Sequence, residues 1–259
     1  MRALWNAMVI AARSRPEFID GTTLVVVLIA SPLALAVFYL ALSTGDGTAD
    51  SSAQGAVAAG LAVAGLSSTM SSASLLSTDQ VNGTLPFVVT ASANRVVVWT
   101  GRAAVVSGLG VIGGSVGTAA TLTLTGSMPA PAQVLTIFGL IVETAAISSG
   151  LGIAIGAAGL VLRDSMLVPN VAEQLIAVLC GAVAPAAVLW TPLQVFSQMV
   201  PMSHTIAAGR EVISGHPAWS QSIEGAAVGL IWTIVGISTW AWLSRRARRD
   251  GSIESMSLG

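Results

Sequence analysis

The sequence predicts an all-α membrane protein with six transmembrane helices, an N-terminal interfacial helix and a broken outer hairpin before the last span. Composition is the first reason. Of 259 residues, 54% are hydrophobic and 9% are charged, against roughly 25% charged in soluble domains. Several runs of about 20 residues carry no charge, long enough to cross a hydrocarbon layer of about 30 Å as a helix. These runs are apolar on every face, whereas barrel strands alternate over segments of about ten residues. The third reason is the placement of arginine, which sorts the connecting segments into two classes.

The opening residues 1–20, "MRALWNAMVIAARSRPEFID", set Leu4, Trp5, Met8, Val9 and Ala12 at helical spacing, flanked by Arg2, Arg13 and Arg15. This pattern suits an amphipathic helix in the inner interface; a plain juxtamembrane anchor is the other reading. A secretory signal needs an early apolar core, and the charges at Arg2, Arg13, Arg15, Glu17 and Asp20 interrupt one, so this segment is expected to be retained. The transmembrane domain, 21–243, holds spans near 21–42, 55–76, 103–125, 133–162, 171–190 and 223–243. A basic tail, 244–259, closes the chain. Gly110 with Gly114, Gly113 with Gly117, Gly152 with Gly156 and Gly225 with Gly229 are spaced for close helix approach, either within the chain or at a subunit seam.

With the N-terminus in the cytoplasm, the inner segments hold Arg2, Arg13, Arg15, Arg95, Arg102, Arg163, Arg245, Arg246, Arg248 and Arg249, and the outer ones only Arg210. That asymmetry follows the positive-inside rule and puts both termini in the cytoplasm of a multi-pass protein of the cell membrane. The outer loop "STGDGTADSSAQ" carries Asp46 and Asp50 and no base. The alanine-rich, lysine-free composition fits a GC-rich bacterial source.

Several chemistries are excluded. All 11 basic residues are arginine, so the chain lacks the lysine of a nucleotide-binding G-x-x-x-x-G-K-[ST] loop. If ATP drives this protein, another polypeptide binds it. The lone Cys180 lies in an apolar run, where it serves as a small core residue and supplies no multi-cysteine metal site. Both histidines lie in one outer segment, so nucleophile-and-base catalysis is not expected. No metal, no catalytic residue and no nucleic-acid partner is expected on this chain.

Two places within the membrane draw attention. Glu143 is the one ionisable residue well inside an apolar run. A charge at mid-membrane costs about 2.5–3.5 kcal/mol on insertion scales, so Glu143 is expected to face the bundle interior or water. It is a candidate for the substrate pathway; a protonated acid hydrogen-bonded to a nearby hydroxyl is the equal alternative. Glu173 lies nearer the end of its span, where an interfacial position suffices. The outer segment at about 191–222 is apolar enough to dip into the membrane, with Pro192, Pro201 and Pro217 cutting it into short pieces. Its His204, Arg210, Glu211 and His216 are either substrate contacts and a gate or partners of local carbonyls and acids. Two histidines twelve residues apart, with no cysteine near, match no standard zinc spacing.

The cytoplasmic segment at about 79–102 reads "DQVNGTLPFVVTASANRVVVWTGR". Gly83 permits a sharp reversal, Pro86 suits the first turn of a helix, and Phe87 with Val88 and Val89 forms an apolar knob outside the bilayer. Asp79, Gly83-Thr84-Leu85, Arg95 and Gly101-Arg102 fall where the type-2 family of ATP-binding-cassette exporter permeases carries an acid, Gly-Thr-Leu, a base and Gly-Lys. Pro86 stands where that family usually has glutamate, and Ala91-Ser92 stand for its Thr-Pro. The outer "VPMSHTIAAGREVISG" is also similar to the family's segment before its last span. Together these make the chain resemble that family over nearly its whole length.

The resemblance implies that Asp79, Gly83, Thr84, Leu85, Pro86, Phe87 and Arg95 belong to a coupling helix seated in an ATPase subunit; a loop held at the interface by Phe87 and Trp99 is the other reading. It implies a permease that moves an amphipathic drug, antibiotic or lipid-like substrate outward. Two ATPase copies would bind ATP and magnesium, and a second permease copy or paralogue would complete the assembly. A non-transporting sensor or scaffold subunit and a proton-coupled carrier using Glu143 are the alternatives.

Overall fold

Backbone groups placed in hydrocarbon must be paired within their own segment, and among the described residues the chain does this with helices and no strand. The computed structural model describes residues 2–13, 15, 18, 20–43, 49–81, 83, 95–160, 162, 164–183 and 185–249. The helices are α1 Arg2–Arg13, α2 Gly21–Ser43, α3 Ala49–Val81, α4 Arg95–Thr125, α5 Pro131–Gly159, α6 Leu167–Leu179, α7 Thr191–Gln198, α8 Pro201–Ile213 and α9 Trp219–Arg249. Of these, α2, α3, α4, α5 and α9 are long and apolar enough to cross a membrane.

Local sequence explains the shapes of these helices. Asp20 starts α2 by accepting from the amides of Thr22 and Thr23 and, at 2.9 Å, from the Thr23 hydroxyl. These hydrogen bonds, the Thr23 hydroxyl first, hold its carboxyl below its usual range. Pro32 can donate no amide and its ring crowds the preceding turn. The helix widens just before it, at Val26–Ala30, where the Ser31 amide reaches back to the carbonyl of Val26. Such π turns accommodate a break in the regular ladder. Pro131, Pro192 and Pro201 all stand in the first turns of their helices, where a missing amide costs nothing.

The fifth expected span, 171–190, is corrected by the structure. Its helix, α6, ends at Leu179 after 13 residues, about 20 Å, because Gly181 turns the chain at φ +79°. A short 3-10 turn at Ala186–Val188 follows before α7. The expected broken hairpin is present as α7 and α8, joined through Met199 and Val200. Its tip reaches far along α9, where Trp232 Nε1 donates to the Met199 carbonyl at 2.7 Å.

The bundle is built around α3. Within its apolar window 83% of residues are buried, against 22% for α2 and 17% for α9, so α3 is the hub and the other two are peripheral. Its sequence, "GAVAAGLAVAGLSSTMSSASLLS", is small on all sides, which lets neighbours approach from several directions. The glycine pairs make these approaches within the chain. A Cβ at Gly152 would stand 2.2 Å from the Thr69 carbonyl, and one at Gly114 would stand 2.5 Å from the Ala64 side chain.

Helix directions follow from these contacts. Gly152 meets Thr69 and Gly156 meets Ala73, so α5 runs parallel to α3. Glu143 meets Ser222, Gly150 meets Thr233 and Gly236 meets Ala154, so α9 runs parallel to α5. Between Gly159 and Trp219 the chain therefore returns to the end from which α5 began. Most of that return is α6: the Ser165 carbonyl accepts from Ser77 at one end, and the Gly181 carbonyl accepts from Arg210 near the other. The end bearing Arg15, Arg102 and Arg245 is called the basic end below, and the opposite one the distal end. At the basic end α1 lies on α4, with Ala7 against Gly101 and Ala11 buried. Its Trp5 and Ile10 remain 66% and 68% exposed.

Candidate functional site

The basic end gathers the termini of four helices. Asp79, in the last turn of α3, faces Arg102 in the second turn of α4. Arg102 Nη1 donates to Asp79 Oδ2 at 2.5 Å and Nη2 donates to Oδ1 at 3.2 Å. A planar guanidinium on a carboxylate in this two-point geometry is among the stronger and more directional ion pairs. Each side chain is 13% exposed. The Arg102 guanidinium also lies 5.5 Å from the centroid of Trp99, within cation–π range. Trp99 in turn meets Trp240 of α9 edge-on, with centroids 5.2 Å apart. Leu76 of α3 and Ala157 and Leu160 at the end of α5 complete the packing.

This assembly holds both ends of the segment that the sequence marks for coupling. α3 stops at Val81, and Gly83 follows at φ +65°, its amide donating to the Gln80 carbonyl at 3.0 Å. A left-handed glycine just past a helix end is a common way to close a helix and redirect the chain. Thr84, Leu85, Pro86 and Phe87 lie outside the described residues, as does the side chain of Arg95, whose backbone begins α4. A further tie comes from the segment after α1, where buried Arg15 donates to the Ser71 carbonyl of α3 at 2.8 Å.

A second group of polar side chains lies within the bundle, where α5, α8 and α9 meet. Ser222 donates to Glu143 Oε2 at 2.6 Å. Glu143 Oε1 is buried and has no hydrogen-bond partner among the described residues. Next to this pair the hydroxyls of Thr144 and Thr205 stand 2.7 Å apart. His204 packs against Gly225 of α9. Its Nε2 lies 2.9 Å from the Gln198 carbonyl, and a carbonyl only accepts, so this nitrogen carries a hydrogen. Its Nδ1 lies 3.5 Å from Glu224. The layer therefore contains one acid, one imidazole and three hydroxyls, with the exposed Glu224 at its edge.

Arg210 is placed differently. Its Nη2 donates to the carbonyls of Gly181 and Ala182 at 2.6 and 3.2 Å, the groups left without helical partners where α6 ends. Glu211 lies beside it on α8, and His216 is exposed. Among the described residues no group of three or more histidine, cysteine, aspartate or glutamate side chains is placed to hold a metal ion.

The structure thus brings Glu143 and His204 to one layer, leaves Arg210 on carbonyls nearby, and sets Asp79 and Gly83 at the far end of the bundle. Sequence reasoning had not joined Asp79 to Arg102, nor singled out Trp240 and Ser222. A signal for the ion pair was available. An acid one turn before the end of one span and a base early in the next lie at the same depth, and few other charges are near enough to compete. Ser222 gave no such signal, because only the parallel packing of α9 on α5 brings it to Glu143.

The sequence model of the family described as ABC-2 type transporter, ABC2_membrane, matches residues 2–213, from α1 to the end of α8. No curated protein and no solved structure gives a match.

Proposed function

The chain belongs to the ABC-2 type transporter family, as a transmembrane permease subunit, and from that premise we propose that it exports an amphipathic substrate of drug, antibiotic or lipid-like character. ATP and magnesium are bound by two copies of a separate ATPase subunit, and a second permease copy or paralogue completes the transporter. The basic end faces the cytoplasm, in keeping with the positive-inside rule, and α1 lies in the interface with Trp5 and Ile10 toward lipid. The chain crosses the membrane six times, with α6 and the turn after it as the fifth crossing. This count is supported by the parallel run of α5 and α9, which requires an odd number of crossings between them.

The observation that carries the coupling assignment is the Asp79–Arg102 pair. α3 ends and α4 begins beside it, so a force on the segment between them acts on α3 and α4 together. Through Trp99 and Trp240 the same force reaches α9, and through Ala157 and Leu160 it reaches α5. A tilt of α9 against α5 would be felt at Glu143 and Ser222, where the two helices are joined by one hydrogen bond. Glu143, with one oxygen unshared, and His204 are assigned to the substrate path, and Arg210 braces the end of α6 beside it. Energy for the cycle enters at the ATPase, so Glu143 is not required to carry a coupling proton.

A photo-crosslinker at position 87 tests the reading in the assembled transporter. Adducts with the ATPase subunit are expected. Adducts with lipid alone, together with normal export by Phe87→Asp, would make the segment a membrane anchor and overturn the assignment.

A further inference from the structure

Between α4, α5 and α9, toward the basic end, lies a slot of about 280 Å³ lined by Trp99, Ala103, Gly150, Ile153, Ile237 and Trp240. Three hydroxyl-bearing residues line it, Thr100, Ser149 and Thr233, and the last two turn their hydroxyls to their own helices. Ser149 donates to the Ala146 carbonyl at 2.7 Å, and Thr233 donates to the Gly229 carbonyl at 2.8 Å. The slot therefore presents mostly hydrocarbon. Pockets for drug-sized ligands run from about 300 to 1,000 Å³, so this one is at the lower limit and suits a slender chain better than a broad ring system.

Charge identifies the other half of the occupant. Ala241 lines the slot at its basic end, and its carbonyl accepts from Arg245 Nε at 3.0 Å. Arg245 is exposed and makes no ion pair among the described residues, and Arg246, Arg248 and Arg249 follow it in sequence. Arg102, also close, is balanced by Asp79. Among the described residues the unbalanced charge at the mouth is positive, and Trp99 and Trp240 stand beside it, the residue type favoured where hydrocarbon meets headgroups.

We infer that the slot holds one acyl chain of an anionic phospholipid from the leaflet at the basic end, with its headgroup phosphate on Arg245. The lipid would bear on the Trp99–Trp240 contact, through which the Asp79–Arg102 pair reaches α9. The inference rests on the chain's membrane embedding and on neither the cargo nor the direction of transport, so it stands or falls separately from the export reading.

Native mass spectrometry of the full chain, with dioleoylphosphatidylglycerol or dioleoylphosphatidylcholine added, tests it. The wild type is expected to retain one phosphatidylglycerol about fivefold in preference to phosphatidylcholine, the worth of one arginine near an anionic headgroup. Ala103→Phe fills the slot and should abolish retention of both lipids. Arg245→Gln, an exposed change that leaves the bundle intact, should keep retention but erase the preference. Equal retention of the two lipids by the wild type would overturn the proposal. So would retention that neither variant alters, or a wild type that retains no lipid and forms a dimer lost in Ala103→Phe.

Discussion

Asp79 and Arg102 meet in a two-point ion pair across the mouth of the segment that separates α3 from α4, each with 13% of its side chain exposed. Two charges this sheltered are held by each other and by the aromatic face of Trp99. The pair turns the ends of two helices into one mechanical unit, so motion imposed on residues between them is not lost in independent swinging of α3 and α4.

Neutralising one partner should therefore cost more than a surface ion pair is worth. Removing one member of a buried pair costs about 3–5 kcal/mol, and the remaining exposure of both groups places the expected loss near the lower figure. Arg102→Gln and Asp79→Asn should each lower Tm in detergent and reduce export per ATP hydrolysed. The swapped double variant, Asp79→Arg with Arg102→Asp, should recover part of both. Losses that simply add when Asp79→Asn and Arg102→Gln are combined would show that the pair is not energetically coupled.

Gly83 provides a backbone test with an internal control. Among the described residues a Cβ there meets nothing within 4 Å, so the cost of a substitution comes from φ +65°, about 1–2 kcal/mol for an ordinary residue and more for a β-branched one. Gly126 has the same character, φ +66° with open space around it, in the turn after α4 at the distal end. Gly83→Val and Gly126→Val should strain the fold alike, but only Gly83→Val should weaken association with the ATPase, measured by co-purification. Gly83→Asn, more tolerant of this conformation, should be milder. Equal loss of ATPase binding in the two valine variants would separate Gly83 from coupling.

How far the sequence disclosed this arrangement depended on whether the signal was local. The spans at α2, α4, α5 and α9 were legible because apolar runs bounded by Arg, Pro and Gly leave a helix few other places to begin or end. The hairpin of α7 and α8 was legible because Pro192 and Pro201 permit short helices and forbid a continuous one. α3 reads as 55–76 from hydropathy but extends over Ala49–Val81, since serine and threonine at its ends lower the apolar signal without opposing a helix enclosed by others. α6 was misread because Gly181 sits inside an apolar run, and hydropathy registers polarity but not φ. The contacts of Glu143 with Ser222 and of Trp99 with Trp240 depend on which helices run side by side, and no window of sequence contains that.

Glu143→Gln tests the layer within the bundle. Glutamine keeps a carbonyl oxygen for the Ser222 hydroxyl, so the hydrogen bond between α5 and α9 survives and the complex should assemble with unchanged ATPase binding. The titratable group is gone, so export should fall or lose its dependence on pH. Glu143→Leu removes the acceptor as well and should also lower Tm, with about 1 kcal/mol of stability lost with the hydrogen bond. Export and pH dependence unchanged in Glu143→Gln would leave Glu143 a packing residue and remove it from the substrate path.

The sidedness of the whole arrangement can be read from one position. Ser220 is exposed in the first turn of α9 at the end of the hairpin, and the only native thiol, Cys180, is buried and can be removed by Cys180→Ala with little loss of volume. In that background Ser220→Cys should react with a charged, impermeant maleimide added to intact cells, as the proposed cytoplasmic placement of the basic end under the positive-inside rule requires. The expectation also depends on α6 serving as a crossing. Without it, α9 could not start at the end from which α5 starts, and the parallel contacts from Glu143 to Ser222 and from Gly150 to Thr233 could not both form. A second cysteine at Arg245, near the basic end of the same helix, should label only after the cells are opened. Labelling of position 220 only after lysis would reverse the topology, and with it the cytoplasmic placement of the Asp79–Arg102 pair on which the coupling proposal depends.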